Sequence, residues 1–142
     1  MKPPAAADNN PGPHPSPLDI GAAGAAAGAR RRVIELLNAA GIALDGIAAA
    51  DALLVTSELV ANAIRHGGGI TAFHATLDGN TLRLAVSDAN PHHPTRRPTP
   101  HGQPGGYGWP LIQRLTEHIT ITPLPAGGKT ITAVQYLVTN RA

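Results

Sequence analysis

Apolar positions recur at helical spacing in the first half of the chain and alternate in the second. From about Ala22 to Ala40 the sequence is rich in alanine, and Val33, Leu36, Leu37 and Ala40 repeat at the helical period. Gly41 punctuates that helix. A second helix is expected from about Asp45 or Ala49 to His66, where Gly67-Gly68-Gly69 stops it. Two strands follow, about 70–78 and 81–87, joined by Asp78-Gly79-Asn80, which carries an Asp-Gly hairpin signal. From Asn90 to Pro104 there are five prolines and no periodicity, so a long loop is expected, of the kind that is usually functional or disordered. A helix over about 109–117, with Pro110 in its first turn, precedes strands of about 118–122 and 130–138. Paired strands separated by one helix predict an α+β two-layer sandwich, with a mixed, mostly antiparallel sheet covered on one face by about three helices.

Composition narrows the picture modestly. The six prolines between Pro3 and Pro17, set among Ala, Asn and Gly, predict a disordered tail over residues 1–17, ahead of a single domain from 18 to 142. With 142 residues, such a chain buries roughly two thirds of its unfolded surface, enough for a core without staples. Cysteine is absent, which removes disulfides and thiolate metal sites and fits a cytoplasmic location. No run of 18 or more apolar residues and no apolar leader is visible, so neither a membrane span nor a secretion signal is expected. The net charge of +2 permits anionic ligands without demanding nucleic acid. Arg30-Arg31-Arg32 has no aromatic neighbour on which a base would stack, and it reads as the solvated start of a helix.

Candidate chemistry gathers at three places. On the second helix Glu58, Asn62 and Arg65 fall within about 60° of one another, on one stripe. A lone stripe of this kind is what the wet side of an amphipathic helix gives. Its flanks, however, are Leu54, Val55 and Ala61, as in the wall of a pocket, and oxygen donors there suit Mg²⁺. On the fourth element Leu82, Leu84 and Val86 alternate onto one face and Asp88 continues the register, which places a carboxylate on the apolar side. That is costly unless the carboxylate is paired or reads a ligand donor such as an amino group on adenine. A plain turn cap is the alternative. Third, Gly105-Gly106-Tyr107-Gly108 opens a helix, and its N–H groups would attract phosphate unless the segment is merely a flexible turn. Gly128-Lys129-Thr130 enters the last strand with a cation and a hydroxyl, but no Walker A spacing precedes it.

In their joint order these segments resemble the GHKL ATPases, most closely the short anti-sigma-factor serine/threonine kinases and their stand-alone actinobacterial relatives. Ser57-Glu58-Leu59-Val60-Ala61-Asn62-Ala63-Ile64-Arg65-His66-Gly67 looks like their N-box. Val86-Ser87-Asp88-Ala89-Asn90-Pro91 looks like the G1 box and Gly106-Tyr107-Gly108-Trp109-Pro110-Leu111-Ile112 like the G2 box, with Gly128-Lys129-Thr130-Ile131 resembling the closing segment. The match covers about residues 29–138.

The resemblance implies the Bergerat, or histidine-kinase-like, ATPase fold and binding of ATP with Mg²⁺. It implies that Asn62 holds Mg²⁺ and that Glu58 is the catalytic base. Asp88 would bond the adenine amino group, with Thr130 near that network. Gly106 and Gly108 would shape the lid end and the phosphate-facing helix start. Arg65, His66, Asn90, Tyr107, Trp109 and Lys129 complete the expected nucleotide-binding set. Departures are Asn90 in place of a G1 glycine, Trp109 where an aliphatic residue is usual, a proline-rich lid, and a first strand reduced to Leu18-Asp19-Ile20.

Two functions compete. One is a serine/threonine protein kinase that phosphorylates a small antagonist protein and otherwise sequesters a sigma factor. The other is an ATP-binding partner-switching module with negligible turnover, and either would allow a homodimer. A sensor histidine kinase is disfavoured, because 142 residues leave no room for a dimerising helical hairpin. A metal site from His92, His93 and His101 is disfavoured because histidines in a proline-rich loop are usually solvated. Arg96 and Arg97 are expected to contact phosphates when that loop closes as a lid.

Overall fold

The computed structural model describes residues 21–92 and 108–137. The expectations for the tail, for Leu18-Asp19-Ile20, and for Arg96, Arg97, His93, His101, Gly106 and Tyr107 fall outside those residues. In chain order the elements are α1 (Gly21–Ala39), α2 (Ile47–His66), β1 (Ile70–Asp78), β2 (Thr81–Asp88), α3 (Gly108–Leu115), β3 (His118–Pro123) and β4 (Lys129–Tyr136). This is the expected α+β sandwich, with a refinement: the sheet, ordered β1-β2-β4-β3, is antiparallel at every pairing.

Alternation along the strands makes the two faces chemically distinct. Leu82, Leu84 and Val86 of β2 and Ile131 and Ala133 of β4 are buried on the inner face. They pack with Val33 and Leu37 of α1, Val55 and Leu59 of α2, and Ile112 of α3 in one core. The outer face carries His74 and Thr76 of β1, Arg83 of β2, and Thr120 and Thr122 of β3, all exposed. A smaller cluster of Ala25, Ala29 and Val60 joins α1 to α2, where side chains of one carbon on α1 let the two helices approach closely.

α2 is the core helix of the domain. By length and composition it is apolar enough to cross a bilayer, which the absence of a purely apolar run did not suggest. Here it buries Ala49, Ala52, Val55, Thr56, Leu59, Val60, Asn62 and Ala63 instead, and Thr56 returns its hydroxyl to the Ala52 carbonyl. The helix ends where Gly67 and Gly69 both donate to the Ala63 carbonyl, with Gly68 at φ 76°, a conformation that favours glycine. That tight exit carries the chain directly into β1, and it leaves Gly67 against the end of β2.

Candidate functional site

The end of α2, the end of β2 and the start of β4 converge on Asp88. Its carboxylate continues the inward register of Leu82, Leu84 and Val86 and is 1% exposed. Register pairs Asp88 with Lys129, and residues opposite each other on neighbouring strands share a face. Lys129 is accordingly buried as well, with its Nζ 3.0 Å from Asp88 Oδ1. Two opposite charges removed from water are tolerated because they neutralise one another at contact. Lys129 Nζ also donates to the Asn90 carbonyl at 2.8 Å, and the Asn90 backbone N–H donates to Asp88 Oδ1 at 2.9 Å.

One oxygen of the carboxylate is left over. Asp88 Oδ1 takes two donors, whereas Oδ2 is buried and has no hydrogen-bond partner among the described residues. The wall beside it is Gly67, where a Cβ would stand 2.5 Å from Oδ2 and from Cγ. Gly128, at φ 87°, lets the chain pass against the Asp88 carbonyl in the same way, where a Cβ would clash. A desolvated acceptor aimed at a side-chain-free wall is the feature that a bound donor would satisfy.

The remaining candidates divide by position. Asn62 lies on the inward side of α2 and is 8% exposed, while Glu58 is half-buried one turn earlier. Arg65 is exposed, and its guanidinium reaches Glu58 Oε1 at 4.0 Å, so the stripe is held partly by its own ion pair. Gly108, the first residue of α3, sits over that pair: a Cβ there would be 2.5 Å from Glu58 Oε1. The half-buried Trp109 packs against the main core. His66 is exposed and contributes through its backbone, its carbonyl accepting from Asn90 Nδ2 at 2.7 Å.

Asn90 therefore ties α2 to β2 with its side chain, and Ala89 N–H to the Gly67 carbonyl adds a second tie. His92 is exposed, and its N–H bonds the Asn90 side-chain oxygen. Thr130 pairs in register with Ser87, one residue away from Asp88, and the two hydroxyls meet at 2.7 Å on the outer side of the sheet. Lys129, and not Thr130, is the residue whose side chain meets Asp88. The sequence marks Gly67 as a helix stop and as the end of the N-box-like segment. Its second role, close approach to Asp88, is a use of glycine that the triplet equally signals.

Residues 22–135 match the family described as a histidine kinase-like ATPase domain. No curated protein sequence matches the chain. Among solved structures it is similar to the histidine kinase domain from the Erythrobacter litoralis EL346 blue-light activated histidine kinase, at 20% identity and TM-score 0.45, over 79% of this chain and 60% of that one. It is also similar to the histidine kinase domain of the E. coli osmosensor EnvZ, at 15% identity and TM-score 0.42, over 80% of this chain and 88% of that one. The longer E. litoralis structure is spanned to 41% of its length. With the family match running through the seven elements of the described residues, the chain belongs to the histidine kinase-like ATPase domains, the ATP-binding domains of GHKL type.

Proposed function

We propose that the protein is an ATP-Mg-binding regulatory protein that acts as a serine/threonine kinase of the anti-sigma-factor kind on a small antagonist protein. The observation that carries the nucleotide part is Asp88 Oδ2, buried against Gly67 without a partner among the described residues, an acceptor suited to the amino group of adenine. The observation that carries the transfer part is Glu58. Its Oε1 faces Gly108 at the start of α3, next to where N–H groups of a helix start favour phosphate.

Phosphoryl transfer asks mainly for positioning and charge stabilisation. Glu58 would accept the proton of the attacking hydroxyl, and Arg65, 4.0 Å away, would hold it in place beforehand. Asn62, buried one turn along the same stripe, offers an amide oxygen to a hard cation. Mg²⁺ bound there would neutralise phosphate charge. A cytoplasmic location follows from this role, as do a sigma factor or antagonist as partners.

A second reading, partner switching with negligible turnover, draws on Asn90. Its side chain bonds the His66 carbonyl and the His92 N–H, which stiffens the segment leaving β2. A stiff exit there suits a bound nucleotide better than a cycling one.

Base recognition is open to a direct check. Asp88→Asn should weaken ATP more than GTP, because an amide presents a donor as well as an acceptor to the base edge. Competition binding with both nucleotides measures this. Equal losses would leave Asp88 as the buried partner of Lys129 and the turn after β2, with no part in reading the base.

A further inference from the structure

The charge pair at the sheet end has an unused half on each side. Lys129 Nζ carries three hydrogens, and two are engaged, by Asp88 Oδ1 and by the Asn90 carbonyl. Asp88 Oδ1 is filled by Lys129 and by the Asn90 N–H, and Oδ2 has no partner among the described residues. A free hydrogen on Lys129 and a free oxygen on Asp88 thus belong to one ion pair, in which Nζ lies 3.0 Å from Oδ1, the other oxygen of the same carboxylate. Both residues are buried, so water does not replace a bond that a ligand fails to make there.

From this pairing we infer that Lys129 is a second base-reading group, which donates to a ring nitrogen while Asp88 Oδ2 accepts from the neighbouring amino group. The inference rests on the ATP-site reading above and adds a specificity determinant to it. The pair is complementary to a base edge that shows an amino donor beside a ring-nitrogen acceptor, as adenine does. A base whose amino group is intact but whose adjacent ring nitrogen is replaced by C–H meets Asp88 normally and leaves the Lys129 hydrogen unpaired.

The same geometry assigns each backbone partner a part. The Asn90 carbonyl holds Nζ at 2.8 Å and Asp88 Oδ1 holds it at 3.0 Å, so the ammonium is fixed before any ligand arrives. Gly67 keeps the space over Oδ2 free of side chain. A group already in place loses little freedom on binding, which is why a buried lysine reads a base edge better than a mobile surface one.

Titration calorimetry of the wild-type protein with the Mg²⁺ complexes of ATP, 1-deaza-ATP and purine riboside triphosphate tests the assignment without any turnover. 1-Deaza-ATP lacks only the ring-nitrogen acceptor, and purine riboside triphosphate lacks only the amino group. 1-Deaza-ATP should bind about 10- to 100-fold more weakly than ATP, the worth of a hydrogen bond to a charged group. In Lys129→Met the two should agree within about twofold, and Lys129→Arg, which keeps a charged donor, should restore the difference. If Lys129→Met does not fold, the wild-type ligand pair and Lys129→Arg still decide. Wild-type binding of ATP and 1-deaza-ATP with equal affinity, while purine riboside triphosphate is weakened, would overturn the role of Lys129 and leave Asp88 as sole reader. Absence of binding by all three would overturn the ATP-site reading itself.

Discussion

Glu58→Gln is expected to keep ATP affinity within a few fold of wild type while phosphoryl transfer to a co-purified antagonist protein falls by about 10²–10⁴. Glutamine preserves the shape of Glu58 and its packing beneath Gly108 but cannot take a proton. The Asp88 network is a separate set of bonds at the end of the sheet, so base binding should not respond to the change. Binding and transfer must therefore be measured on the same preparation. Unchanged transfer in the variant, or none in the wild type with any co-purified partner, would favour the partner-switching reading.

Lys129→Met is the substitution expected to cost most stability, about 3–5 kcal/mol, because it strands the buried Asp88 carboxylate without a countercharge. The cause is desolvation and not lost packing, since methionine approximates the volume of the lysine stem. Asp88→Leu combined with Lys129→Met removes both charges and should recover most of the loss. Urea unfolding of the two single variants and the double variant measures the coupling. A Lys129→Met cost below about 1 kcal/mol would mean that the pair is solvated in solution.

Most of the fold was legible because its signals are local. The glycine triplet after His66 stops α2 as expected, and the Asp78-Gly79 turn, with Gly79 at φ 62°, joins β1 to β2 at the expected residues. Boundaries shifted where a tertiary contact competes with the pattern. α3 ends at Leu115, before the expected residue 117, because the Thr116 hydroxyl turns back to the Ile112 carbonyl and the Glu117 N–H is drawn to Val134 of β4.

The candidate site shows the same division. Alternation along β2 was enough to place Asp88 inward. Its partner was not readable, because Lys129 lies 41 residues away and only the β2–β4 register decides whether Lys129 or Thr130 faces it. The resemblance counts both residues in the nucleotide-binding set; in the β2–β4 register Lys129 meets Asp88, and Thr130 meets the neighbouring Ser87 on the opposite face. Of Glu58, Asn62 and Arg65, expected on one stripe, Glu58 and Arg65 meet at 4.0 Å. That Arg65 closes on Glu58 depends on side-chain reach, which helical spacing alone does not give.

Binding of ATP with Mg²⁺ to this chain is expected to run through Asp88 and Asn62. Calorimetric titration of wild type and Asn62→Ala with ATP, with and without Mg²⁺, tests it most directly. Wild type should bind saturably and more tightly with Mg²⁺, and Asn62→Ala should bind at the wild type's Mg²⁺-free level whether or not the metal is present. No heat from wild type at millimolar ATP, with or without Mg²⁺, would contradict it.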